Sequence, residues 1–160
     1  YCVIIQFRFC LIMSLTFITL ITIIHFSLLS ITAYGAYKRN RSWFTLGLCF
    51  FSTIPIIVES LLYALDDALV RLPVIIMFLT QVIITLPIGV KYAANDPTAL
   101  AITQKIGFAV IVANLCHGYL ILSESLNNVP ILFGVFHLCM ATIVLYAIIR
   151  SHTSPNIRWN

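Results

Sequence analysis

Apolar runs fill most of this chain, and short polar breaks divide them into five. A helix that crosses about 30 Å of hydrocarbon needs about 20 mainly apolar residues. The first run, Val3 to Tyr37, is longer than one perpendicular crossing requires. Its embedded part is predicted at 14–36, with the earlier residues projecting or lying at the interface. The second span is predicted at 43–65 and ends on Asp66-Asp67. The third, 72–92, opens at Leu72-Pro73, where proline suits a first helical turn. Asn95-Asp96-Pro97 is a turn signal, and the fourth span follows at 99–122. A polar turn from Ser123 to Asn128 leads to Pro130, the fifth span at 130–149 and a polar tail at 150–160. The pattern predicts one all-α integral membrane domain over residues 1–160, a bundle of five transmembrane helices. The connections are short, so sequential helices are expected as antiparallel neighbours.

Basic residues set the predicted orientation. In a five-span layout Lys38, Arg39, Arg41, Lys91, Lys105, Arg150 and Arg158 share one side, against Arg8 and Arg71 on the other. Basic residues flanking short loops favour the cytoplasmic face, which predicts the N-terminus out and the C-terminus in. Tyr34 and Tyr37 precede the first basic cluster as interfacial aromatics do.

Composition agrees with the pattern. The chain is 61% hydrophobic and 9% charged, against about 25% charged for a soluble domain. The deficit excludes an ordinary globular fold and a disordered chain. The net charge of +4 sits beside the spans and is not a nucleic-acid signature. The five cysteines form no CxxC pair and read as small packing residues.

The candidate chemistry lies in polar residues placed where lipid or packed helices should be. An ionisable group inside a membrane span is a functional hypothesis by default. His25 lies near the middle of the first span, and His152 falls in the tail. In the fourth span Gly107, Asn114, His117 and Gly118 share one face; in the fifth, Gly134, His137 and Ala141 do. Small and polar residues line helix interfaces in membranes. His117 and His137 flank one turn at similar depth and can point into one cavity, where imidazole can ligate haem iron or the metal of a chlorophyll-type pigment. The plainer reading of each histidine is a hydrogen bond to a neighbouring helix. A zinc site from Cys116, His117, His137 and Cys139 fails, because adjacent helical residues diverge by about 100°.

Ser52, Pro55, Glu59 and Tyr63 form a stripe on the second span. Glu59 is either a proton-relay or cation-binding group or a hydrogen-bonded interface carboxyl. Gln81 and Thr85 are spaced as interhelical contacts, with Pro87 and Gly89 following. No catalytic or metal motif such as HExxH, GxSxG or a Walker loop occurs.

These features predict a non-catalytic subunit of a larger, bioenergetic membrane complex. It would pack on other transmembrane subunits and membrane lipids, with His25, His117 and His137 as candidate ligands of haem b or a chlorophyll-type pigment. Two alternatives stand beside it. One is a small proton, ion or solute transporter with Glu59, Gln81 and Asn114 as a polar path. The other is a quinone-reactive b-type cytochrome.

Overall fold

The computed structural model describes residues 15–85, 97–126 and 129–153. Among these residues the chain is all helical, with five helices and no strand. They are α1 (Leu15–Lys38), α2 (Arg41–Asp66), α3 (Arg71–Thr85), α4 (Pro97–Leu122) and α5 (Ile131–Thr153). Four of them, all but α3, are long and apolar enough to cross a membrane. By length and composition the chain reads as a multi-pass membrane protein.

The helix ends follow local chemistry. Asn40 caps α2 by accepting from the Trp43 amide at 3.0 Å, a standard way to satisfy a free amide of the first turn. Asp67 ends the same helix in the left-handed region, φ 53°, with its N–H donating to the Tyr63 carbonyl. Within the helices, hydroxyls such as Ser27, Ser30, Thr32 and Thr142 donate to the carbonyl four residues back. That bond lets a lone hydroxyl sit in an apolar helix without an unpaired donor.

Several boundaries differ from the sequence prediction. The first helix runs two residues past 36, to Lys38, and the second starts at Arg41 and ends at Asp66. The fourth starts at Pro97, and the fifth continues through Arg150 into what reads as tail, so that His152 falls in its last turn. Charged ends continue a helix because nothing there breaks it. The third starts at Arg71, one residue before the predicted 72, and is described as far as Thr85. Residues 86–92, with Pro87, Gly89 and Lys91, lie outside the described residues, as do Asn95, Asp96, Arg8 and Arg158.

The helices close a ring. α1 packs on α2, α2 on α3, α4 on α5, and α5 back on α1, while α3 and α4 touch lightly. Glycine makes the close crossings possible. A Cβ on Gly35 would overlap the Phe44 backbone, with Phe44 Cα at 2.7 Å. A Cβ on Gly118 would lie 3.1 Å from the Gly134 carbonyl, so α4 and α5 meet backbone to backbone. Large apolar side chains cover the outside, among them Phe26, Ile57, Ile76 and Val112. The inside is not uniformly apolar, and its polar part defines the site.

Candidate functional site

Glu59, on the inward face of α2, is 1% exposed. Its partner is Arg71, the first residue of α3, whose Nη1 donates to Glu59 Oε2 at 2.7 Å. The same guanidinium grips Asp66 at the end of α2, with Nη2 2.8 Å from Oδ2 and Nε 3.0 Å from Oδ2. The tight turn between α2 and α3 folds Arg71 back into the bundle, where it joins one buried and one partly exposed carboxylate. A guanidinium fork suits this bidentate work. Glu59 is therefore ion-paired, and Asp66, which reads in the sequence as a solvated helix end, anchors the pair. Arg71 reads there only as a loop charge.

The three histidines of the spans converge. His117 and His137 have ring centroids 4.4 Å apart with planes at 82°. His25 lies 6.4 Å from His137 and stacks on Phe133 at 4.9 Å. Phe51 and Phe78 close the edges, each about 5 Å from His137. All three imidazoles are nearly fully buried.

Their hydrogen bonds fix two tautomers. His25 Nδ1 lies 2.9 Å from the Ile21 carbonyl. A carbonyl only accepts, so Nδ1 carries the proton. His137 Nδ1 lies 2.8 Å from Asn114 Oδ1. The Asn114 amide nitrogen donates to Val110 O at 2.9 Å and to Gln81 Oε1 at 3.2 Å, which fixes Oδ1 as an acceptor and His137 Nδ1 as a donor. In the neutral rings Nε2 of both is then a bare acceptor. His117 Nδ1 is buried with no hydrogen-bond partner among the described residues.

From His137 a one-way chain of donors crosses the bundle. His137 donates to Asn114, and Asn114 to Gln81. Gln81 Nε2 donates to Ser52 Oγ at 2.6 Å, and Ser52 Oγ donates to the Leu48 carbonyl at 2.7 Å. Four helices are joined by it. Thr85, one turn beyond Gln81, donates to the Gln81 carbonyl and takes no part. Through this chain Gln81 and Asn114 orient the His137 ring.

Between the pair and the rings lies a cavity of about 10 Å³, lined by Glu59, Pro55, His25, His117 and His137 together with four apolar residues. That is close to the volume one water needs. No slot for a tetrapyrrole exists between the rings, because the edge-on contact of His117 and His137 fills the space a macrocycle would occupy. The residues present do not fit haem b or a chlorophyll-type pigment here. Among the described residues no group of three or more His, Cys, Asp or Glu is placed to hold a metal ion. Cys116 and Cys139 are exposed while their neighbours His117 and His137 face inward.

The buried polar groups are unevenly distributed along the bundle. Glu59 lies about 10 Å along α2 from Asp66, and Ser52 about 21 Å, at 1.5 Å per residue. Toward the Lys38 end the core holds Leu29, Ala36, Val110, Val144 and Ala147, with Thr32, Arg39 and Thr85 as its buried polar members.

Comparison with known proteins finds no family model, no curated relative and no solved structure that matches this chain. Its own geometry therefore carries the functional argument. Two residues central to that geometry, Arg71 and Asp66, are missed by sequence reasoning. A usable signal was present: an arginine directly before an apolar run, five residues after an aspartate and twelve after a carboxyl inside the preceding span.

Proposed function

We propose that this chain is a small, non-catalytic, proton-coupled membrane transporter whose proton-binding site is Glu59 with His25, His117 and His137. One observation carries the reading: a carboxylate and three imidazoles from four helices line one small cavity inside the bundle. Ionisable groups gathered inside a bundle of spans mark proton and substrate pathways in membrane transporters. The test is flux in liposomes with an imposed pH gradient. Wild-type protein should move protons or a proton-coupled solute, and Glu59→Gln and His137→Ala should each abolish that flux. A silent wild type, or an unaffected Glu59→Gln, removes the proposal.

The reading as a subunit of a larger membrane complex keeps one specific support. An apolar cleft of about 240 Å³ lies between α1 and α2, lined by Phe17, Leu20, Ile24, Ile57 and Leu61 among others. A helix of a partner subunit or a lipid chain suits such a surface. Extraction in mild detergent followed by sizing separates these readings: a lone monomer speaks for the transporter, and a stable larger assembly for the subunit.

A further inference from the structure

Two hollows of the bundle share a wall. The apolar cleft between α1 and α2 and the small polar cavity behind it are both lined by Ile54 and Val58, which lie one helical turn apart on α2. Sequence neighbours serve the two sides: Ile24 lines the cleft, and His25 the cavity. The cleft holds about 240 Å³, room for about eight groups the volume of a water molecule, a size close to that of a methylene. Leu20 and Ile57 at its lip are 55% and 65% exposed. Ile54 lies about 18 Å along α2 from Asp66, at 1.5 Å per residue. The lip therefore opens sideways, onto lipid, at the depth of the hydrocarbon core.

The cavity calls for a polar atom. His117 lines it and is 2% exposed, and its Nδ1 has no hydrogen-bond partner among the described residues. Leaving such a nitrogen unbonded is costly. In the neutral His25 and His137 rings, which also line the cavity, Nε2 is an acceptor without a proton. A hydroxyl suits this set: it donates once and also accepts, so it can serve His117 Nδ1 in either tautomer. It has the size of a water molecule, which a cavity of about 10 Å³ just admits. An ammonium head would add a charge to a buried site whose carboxylate, Glu59, is already paired with Arg71. A carboxylate head would bring acceptors to acceptors.

The geometry points to a binding site for a neutral single-chain alcohol taken up from the bilayer. Its chain lies in the cleft between α1 and α2, and its hydroxyl passes Ile54 and Val58 to bond His117. Pro55 stands between those two side chains. It offers no N–H to the helix ladder, so α2 can flex where they must part. The bound hydroxyl fills the space beside Glu59 and the imidazoles, so the alcohol slows proton uptake. Only that last consequence rests on the transporter reading.

Competition against a photoreactive probe, a diazirine-bearing decanol, on the full chain in lipid nanodiscs tests the site. The probe should label residues of α1 and α2 at the cleft, and 1-octanol should displace it. Nonane, which has a methyl in place of the hydroxyl, should compete about tenfold more weakly at equal concentration in the lipid, the effect of one hydrogen bond. In His117→Phe, which keeps an aromatic ring but no nitrogen, the two should compete equally. Ile57→Trp, on the exposed lip, should weaken both alike and serves even where His117→Phe fails to fold. Equal competition in the wild type overturns the proposal, as does discrimination that survives His117→Phe, or Ile57→Trp without effect. Octylamine binding more tightly than octanol overturns the neutral head. Octanol that does not compete leaves the cleft to a lipid chain or a partner helix, and also overturns it. Silent liposomes with the expected competition would defeat the transporter reading alone. Proton flux with equal competition would defeat this one alone.

Discussion

Asn114 and His137 meet at 2.8 Å across the α4–α5 contact, and that bond decides which nitrogen of the ring holds its proton. Asn114 can play this part because its own amide hydrogens are both engaged, by Val110 and Gln81. Replacing it with leucine strands the His137 donor and the Gln81 acceptor in the core. We expect Asn114→Leu to cost about 1–3 kcal/mol, the range for unsatisfied buried polar groups, measured by reversible unfolding in detergent micelles. A loss well below half a kilocalorie would mean that the two partners rebond elsewhere.

Arg71 should be the most sensitive single residue. Removing one partner of a buried ion pair typically costs about 3–5 kcal/mol, because the other charge stays buried and unpaired. Arg71→Gln is expected to lose an amount of this order in the same unfolding assay. Adding Glu59→Gln in that background should restore part of it, since the stranded charge is then gone. A double variant less stable than the single one would contradict the pairing.

Two glycines make opposite predictions. Alanine at Gly35 drives a methyl into the Phe44 backbone, which cannot swing away. Overpacking of this kind costs about 1–3 kcal/mol. Alanine at Gly107 meets the Ile148 Cδ1 tip at 2.7 Å, and a flexible tip can rotate aside. The first substitution should therefore lower the thermal midpoint clearly more than the second. Equal effects would show that the α1–α2 contact is looser than described.

Purified protein should be colourless. With His117 and His137 edge-on at 4.4 Å, the interior offers no slot for a macrocycle, so no Soret or chlorophyll-type band is expected in the absorption spectrum. A stoichiometric band that disappears in His117→Ala would revive the pigment reading.

Orientation can be tested by cysteine labelling with a membrane-impermeant reagent. Single cysteines at Lys38 and at Asp67 should label from opposite faces, Lys38 from the inside, as the distribution of basic residues predicts. Labelling of both from one face would refute the arrangement of α1 and α2 as antiparallel spans.

The helical architecture was largely legible because each run obeys one dominant rule: apolar stretches of membrane length bounded by turn chemistry. The small-residue faces of α4 and α5 were legible for a related reason, since Gly118, Gly134 and His137 repeat at helical spacing. Less visible was where a charge turns. Arg71 sits at a span boundary, and such an arginine usually snorkels to water. Here the left-handed Asp67 and the short turn to α3 aim it inward instead. Likewise Gln81 and Asn114 read in the sequence as members of a polar path. Their donor directions, by which they orient the His137 ring, emerge only once Ser52 and His137 are placed against them.

The glycine crossing of α4 and α5 has a consequence for register. With the two backbones in contact at Gly118 and Gly134, no side chain separates the helices there. Sliding α5 by one turn would bring Leu138 or Pro130 to that crossing in place of Gly134. Two residues without side chains thus set the depth at which His137 meets His117.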